Sequence, residues 1–259
     1  MEENVKLGRA KPYARTEKPR LILEHYLDSS ALPPPPPVVD RASEVASWPM
    51  YGNDRIGDCT CAAAGHMIQA WTCYAGSEVT LTEADVIGAY SAVSGYDPAT
   101  GANDNGANEQ DVLNYWLKTG IGGHKIAGFA QLASVDNLVL AKQALNIFGT
   151  LYLGINMPQS AMDQFNAGEP WSYAGDLNSI GGHAVPVQAW QTDVTGEIEV
   201  VTWGRVQRMT RGFWWNYVEE AWVVFSGDWM TPKGVAVSGI DRAGLRADFT
   251  SLTGRPAGF

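Results

Sequence analysis

The chain has 259 residues and a mass of 28.0 kDa, enough for one large domain or for two lobes sharing a cleft. Hydrophobic residues make up 45% and aromatics 10%, ample for a buried core, which excludes a disordered chain. A formal net charge of −10 excludes a nucleic-acid-binding surface spread over the whole body. The charge is uneven: residues 1–20 carry six Lys or Arg (Lys6, Arg9, Lys11, Arg15, Lys18, Arg20) against three Glu (Glu2, Glu3, Glu17). Such a basic arm on an acidic body has three readings: it docks on a protein partner, it docks on its own body, or it is a solvated tail.

In chain order, residues 1–31 form this arm, with one apolar patch, Leu21-Ile22-Leu23, suited to pinning it to the body. Residues 32–38 hold five consecutive prolines, Pro33 to Pro37, which run as stiff polyproline II. The run suits a strut leading into a folded domain better than a ligand for an aromatic groove. Residues 39–259 are expected to form that domain. Cys59 to about Ala75 has a broad apolar surface and reads as a helix buried between lobes. Thr82 opens a capped second helix, Glu109–Lys118 is a third, and residues 136–147 are a fourth, from Asp136 as cap to Gly149 as stop. The turn-rich stretch 95–108 reads as an exposed loop. Asp97, Asn103, Asp104 and Asn105 there could offer oxygen ligands to calcium, but they lack the EF-hand spacing, so a polar turn is the favoured reading. Strands follow at 150–156, 183–190, 197–203 and 221–225. A helical lobe (about 48–148) followed by a β lobe (about 149–259) is an α+β pattern with a cleft between them.

Two short segments carry chemistry. Asn53-Asp54-Arg55-Ile56-Gly57-Asp58-Cys59-Thr60-Cys61 places a cysteine at a helix start, where positive potential favours thiolate. Far downstream, Gly182-His183-Ala184-Val185 places a histidine at the opening of an apolar strand. Together they suit a nucleophile and its base. Asn53, six residues before the cysteine, is a candidate hydrogen-bond donor to an oxyanion. Cys61 reads as core and His66 as structural. Trp203, Phe213, Trp214, Trp215 and Trp222 suit core and cleft wall. With three cysteines there is no disulfide framework, and no set of residues has metal-ligand spacing.

These segments, in this order, resemble the papain-like cysteine peptidases over most of residues 32–225. Leu32 to Asp40 resembles the start of the mature family domain, and Trp48 to Ala64 the segment with the oxyanion glutamine and the nucleophile. Leu81-Thr82-Glu83-Ala84-Asp85 resembles the start of a family helix. Asn103 to Ile121 resembles the glycine-rich substrate loop and its following helix, and Thr202-Trp203-Gly204 lies where the family has "NSWG". The resemblance implies a two-lobe α+β fold with Cys59 as nucleophile, His183 as base and Asn53 as oxyanion donor. It further implies that Asn105, Gly106, Gly182 and Trp203 border the substrate, a peptide or protein, and that no cofactor is needed.

The chain departs from the pattern in several places. The asparagine that orients the family histidine aligns with Val201; Thr202 is the nearest polar neighbour, with Asp193 or Asn216 as alternatives. Asn53 replaces glutamine, and Ile56 stands where the family often has a cysteine. No long inhibitory pro-region is expected, and the arm is expected at most to cover a cleft. The first expectation is therefore a thiol peptidase or amide hydrolase. The alternative is a weak or inactive papain-fold structural or binding protein, such as a bacteriophage particle component; an acyltransferase using the same thioester is a third. No membrane or nucleic-acid partner is expected. Without an apolar leader or spanning run, residence in the cytoplasm or in a virion is expected.

Overall fold

The computed structural model describes residues 5–14, 16–18, 20–25, 34–191 and 198–230. At its centre runs α1 (Cys59–Tyr74), in which every residue from Cys59 to Thr72 is buried. Ala62, Ala63, Ala64 and Gly65 keep this helix thin, so neighbours close on it from all sides; a Cβ at Gly65 would lie 2.8 Å from the Tyr51 ring. α2 (Glu83–Ser94) starts at a capping box, in which Thr82 accepts from Asp85 N–H and Asp85 accepts from Thr82 N–H, and it stops at left-handed Gly95. α3 (Glu109–Lys118) begins where the Asn108 side chain accepts the Gln110 N–H. Met67, Ile68, Trp71, Tyr90, Leu113 and Trp116 from these helices form one core.

The other core lies on an antiparallel sheet. Among the described residues its strands are β1 (Val38–Asp40), β2 (Ile126–Gln131), β3 (Leu151–Pro158), β4 (Ser179–Gln191), β5 (Ile198–Thr202), β6 (Arg205–Met209) and β7 (Val218–Ser226). They run in the order β2-β7-β3-β4-β5-β6, and β1 pairs with the end of β4. α4 (Leu138–Phe148), α5 (Gln159–Ala167) and α6 (Arg211–Tyr217) pack on this sheet around Leu145, Phe165, Trp171, Phe213 and Trp214. The architecture is α+β with two lobes, as the sequence pattern implies. Two elements of the stretch that reads as helical lobe, β2 and α4, join the sheet.

Most of the departures from the expected elements come from tertiary contacts rather than local signals. β2 carries Gly128 and gains its strand character from pairing with β7, a contact no local pattern reveals. β6, α5 and α6 are short segments fixed by tertiary packing. α4 is capped by Asn137, which accepts the Leu140 N–H at 3.1 Å, one residue beyond the expected Asp136. Of the proline run, Pro37 accepts a 2.6 Å hydrogen bond from Lys142 Nζ and leads directly into β1.

The arm docks on its own body. Ile22 and Leu23 are buried, and the Gln131 N–H of β2 donates to Leu21 O at 2.9 Å. Tyr13 donates to Asp111 at 2.8 Å, Lys18 pairs with the same carboxylate, and Asn108 Nδ2 donates to Lys11 O at 2.7 Å. Among the described residues, no helix is long and apolar enough to cross a membrane.

Candidate active site

Cys59 is the first residue of α1, and its thiol is buried between β4 and the arm. Burial pushes the thiol up to about 12. Backbone N–H groups of Ala184 and Gly8 point at the sulfur and oppose that rise, and the Asp58 carboxyl adds to it. Asp58 is itself fully buried, and neither of its oxygens completes a hydrogen bond. Desolvation raises it to about 8, only partly offset by the Asn53 amide.

His183 lies on β4 opposite Ile155 of β3, immediately before the residue whose N–H faces the thiol. Its Nε2 is 2.7 Å from Thr202 Oγ1, while its Nδ1 is buried without a partner. The imidazole stacks on Trp203, with ring centroids 4.3 Å apart and planes 18° apart. Burial, and then the Arg9 charge, lower its pKa to about 3, so it is neutral. Trp203 holds φ at 44°, an uncommon conformation for a bulky residue, and its Nε1 donates to Lys6 O at 3.2 Å.

Strand alternation explains why Thr202 meets the histidine and Val201 does not. Val201 turns to the opposite face and packs with Trp48 and Ala70, whereas Val200 packs in the sheet core. Asn216 is remote in role, bonding Gly212 O within its own helix, and Asp193 lies outside the described residues. Asn53 is buried, and its Nδ2 donates to Ile56 O at 3.4 Å. His66 is held by Pro49 O at 2.8 Å, and Cys61 is wholly buried in the helical core.

The arm fills the cleft between these walls. Gly8 N–H and Arg9 N–H both donate to Gly182 O, at 3.2 and 2.9 Å. Across the cleft, Ala107 N–H donates to Gly8 O at 2.8 Å and Ala10 N–H to Ala107 O at 2.9 Å, a parallel bridge. The fit depends on missing side chains. A Cβ on Gly8 would come 1.9 Å from Gly57 O; one on Gly106 would come 2.0 Å from Gly8 O, and one on Gly182 would come 2.2 Å from Arg9 O. Asp104 ties the loop to the cysteine wall, its Oδ1 accepting from Gly57 N–H and Tyr90 OH, both at 2.8 Å. Asn105, beside it, is exposed. Asp97 accepts from Ala99 N–H and Thr100 OH in a local turn, and among the described residues no group of three His, Cys, Asp or Glu is placed to hold a metal.

One residue beyond Gly8, Arg9 enters a pocket of carboxylates that no local pattern announces. Nη1 donates to Glu220 at 3.0 Å and Nη2 pairs with Glu219. Burial opposes the guanidinium charge, but Glu109, Glu220 and Glu219 outweigh it and raise its pKa.

A central helix, a facing antiparallel sheet and a cleft between two cores form a fold found in known structures. Xylellain, a cysteine protease from Xylella fastidiosa, superposes with a TM-score of 0.62 over 87% of this chain and 98% of its own, at 15% identity. The fold is papain-like. Procathepsin L2 from Tenebrio molitor larval midgut matches this papain-like chain with a TM-score of 0.60 over 86% of it and 79% of its own, at 13% identity. ProCathepsin B S9 from Trypanosoma congolense gives 0.55 over 87% and 88%, at 12% identity. No family profile matches the chain, and no curated protein matches its sequence.

Proposed function

We propose that the chain is a papain-like thiol hydrolase acting on peptide or isopeptide amides, and that its own arm holds it latent. The observation that carries this reading is His183: Nε2 is anchored on Thr202, and Nδ1 is left without a partner next to the wall that faces the Cys59 thiol. That is what a proton carrier needs, one nitrogen fixed to orient the ring and the other available. In the reaction, Cys59 Sγ attacks the amide carbon, and its proton passes through His183 to the leaving amine. Water then cleaves the thioester, with His183 as base. The Cys59 N–H and the Asn53 amide are the oxyanion donors. Gly182 O and the Ala107 backbone offer the peptide a hydrogen-bonding ledge, with Gly106 leaving room and Trp203 walling the site behind His183.

The arm suppresses this chemistry electrostatically. With the thiol near 12 and the imidazole near 3, proton transfer from sulfur to nitrogen is strongly uphill while the cleft is filled. Readmitting water removes the desolvation that dominates both shifts, and the two values move toward each other. A second reading, a papain-fold protein kept for binding, is favoured by Asp58, whose carboxyl beside the thiol opposes thiolate.

Iodoacetamide labelling of Cys59 across pH separates the two readings. The parent chain is compared with Arg9→Ala, using His183→Ala and Cys59→Ser as controls, and peptide-amide turnover is read alongside. A hydrolase gives fast labelling of Arg9→Ala that persists below the free-thiol range and slows without His183. Labelling no faster than that of a simple thiol, and indifferent to His183, rejects the enzyme.

A further inference from the structure

Asp58 directly precedes the thiol residue, and nothing in the packing accounts for its carboxyl. The residue is 0% exposed, and neither carboxyl oxygen completes a hydrogen bond. It stands at the N-cap of α1, where an aspartate ordinarily accepts a backbone N–H through its side chain. Here φ is −96°, ψ is 16° and no side-chain cap forms. Only the carbonyl serves the helix, accepting from the Cys61 and Ala62 N–H groups at 2.8 and 3.0 Å. A carboxyl left out of water without partners destabilises a fold, so a purely structural role is poorly served.

The neighbouring polar side chain is Asn53. Its backbone is pinned on both sides, the N–H donating to Met50 O at 3.1 Å and the carbonyl accepting the Lys6 N–H at 3.2 Å. Its amide is held loosely, Nδ2 reaching Ile56 O at 3.4 Å. The same amide lies close enough to act on the Asp58 carboxyl without completing a bond to it. One donor therefore has two competing uses, the carboxyl inside and an oxyanion in the cleft. An ionised carboxyl attracts an N–H donor far more strongly than the neutral acid does. The surroundings oppose ionisation. Asp104 from the loop before α3 and Glu83 from α2 bear on Asp58 with like charge, and Lys6 Nζ stands 3.8 Å from Asp104. Cys59 and Cys61 feel it along α1, and Arg9 of the arm acts on Cys59.

We propose that Asp58 is a positioning residue for the oxyanion donor: its ionised carboxyl holds the Asn53 amide inside, and its neutral form leaves that amide to the cleft. The role rests on the thiol-hydrolase reading, because an oxyanion forms only if Cys59 attacks a carbonyl. The same carboxyl charge also opposes thiolate, so two effects of equal sign have to be told apart. Alkylation by iodoacetamide displaces iodide at a saturated carbon and develops no oxyanion, whereas amide turnover does. The ratio of the two rates isolates the part that passes through Asn53.

The test uses the chain carrying Arg9→Ala, alone and with Asp58→Asn, Asn53→Ala or both. Peptide-amide kcat and KM and the iodoacetamide labelling rate of Cys59 are read between roughly pH 4 and pH 9. At the alkaline end Asp58→Asn is expected to raise kcat about tenfold more than it raises labelling, with KM unchanged and no such excess at the acid end. In the Asn53→Ala background the excess disappears. Equal gains in kcat and labelling overturn the role, as does an excess that survives Asn53→Ala. If Asp58→Asn folds poorly, the Arg9→Ala chain keeps the proposal falsifiable. Its kcat must fall relative to labelling as pH rises, and Asn53→Ala must flatten that fall. Turnover whose pH course follows labelling rejects the role alone, whereas absence of turnover in every variant rejects the hydrolase and the role with it.

Discussion

The two halves of the occupied cleft hold the same strand of arm by different physics. Over Cys59 the arm is all backbone: Gly8 lies against Gly57 and Gly106, bonded to Gly182 O and the Ala107 N–H, with no side chain in play. One residue on, the grip is a buried guanidinium between glutamates. The first half excludes water and keeps thiol and imidazole neutral; the second supplies a strong, directional charge contact. The chemistry and the latch are therefore adjacent but separable. The latch can be loosened without touching the residues proposed to react.

The sharpest way to break this comparison is to remove the latch alone. Losing one partner of a buried ion pair costs about 3–5 kcal/mol, so Arg9→Ala is expected to speed iodoacetamide labelling of Cys59 by at least about a hundredfold, read by mass spectrometry. An unchanged rate would mean that the backbone half holds the arm by itself. Gly8→Ala attacks that half. Its Cβ would meet Gly57 O at 1.9 Å, and overpacking of about 1–3 kcal/mol gives roughly tenfold faster labelling with Arg9 still seated. If Gly8→Ala exceeds Arg9→Ala, steric fit outweighs charge.

A smaller effect is expected from Thr202→Val in the Arg9→Ala background. It leaves His183 Nε2 buried without a partner, at a cost of about 1–3 kcal/mol, and should lower peptide-amide turnover about tenfold. Thr202→Asn, which restores a polar partner, should recover part of the loss; a merely structural threonine would show the same drop with both substitutions.

The mildest test concerns pH. Asp58 is raised to about 8 in the folded chain against an ordinary value of 3.8, so the stability it contributes is complete below about 4 and is lost as pH rises through 8. Asp58→Asn should therefore melt higher than the parent at pH 8 and gain nothing near pH 4. His183 has the opposite sign. It is depressed to about 3 from 6.5, so its contribution is present above 6.5 and is lost as pH falls toward 3. Thermal melts of His183→Ala should accordingly lose the least, relative to the parent, at the acid end.

How much of this was legible in the sequence follows from what is local. The start of α2 and the stops at Gly95 and Gly149 are written in capping residues, which act within a few positions, whereas α1, buried on every side and without a side-chain cap at Asp58, shows only as an apolar run. The cysteine at a helix start and the histidine on an apolar strand are legible for the same reason. The register of β5 is subtler: holding Trp203 and Gly204 in place puts Val201 in the orienting position, and only strand alternation turns Thr202 toward the imidazole. The carboxylate pocket is the least legible of all. Arg9 and Glu220 are 211 residues apart, and Glu109 reads as an ordinary first-turn acid of α3. What joins them is the docking of the arm, which a charge count leaves open between a partner, the body and solvent.

The anchoring of Ile22 and Leu23 to the body, with Gln131 bonded to Leu21, bears on how the protein behaves as a reagent. A plug tied to its own socket is supplied at one copy per site, at an effective concentration on the order of millimolar. Dilution, dialysis and gel filtration leave that ratio untouched, so a purified sample is as closed at trace levels as at crystallisation strength. Severing the chain between Ala14 and Leu21 changes the arithmetic, because the released piece then competes at its bulk concentration and can be washed away.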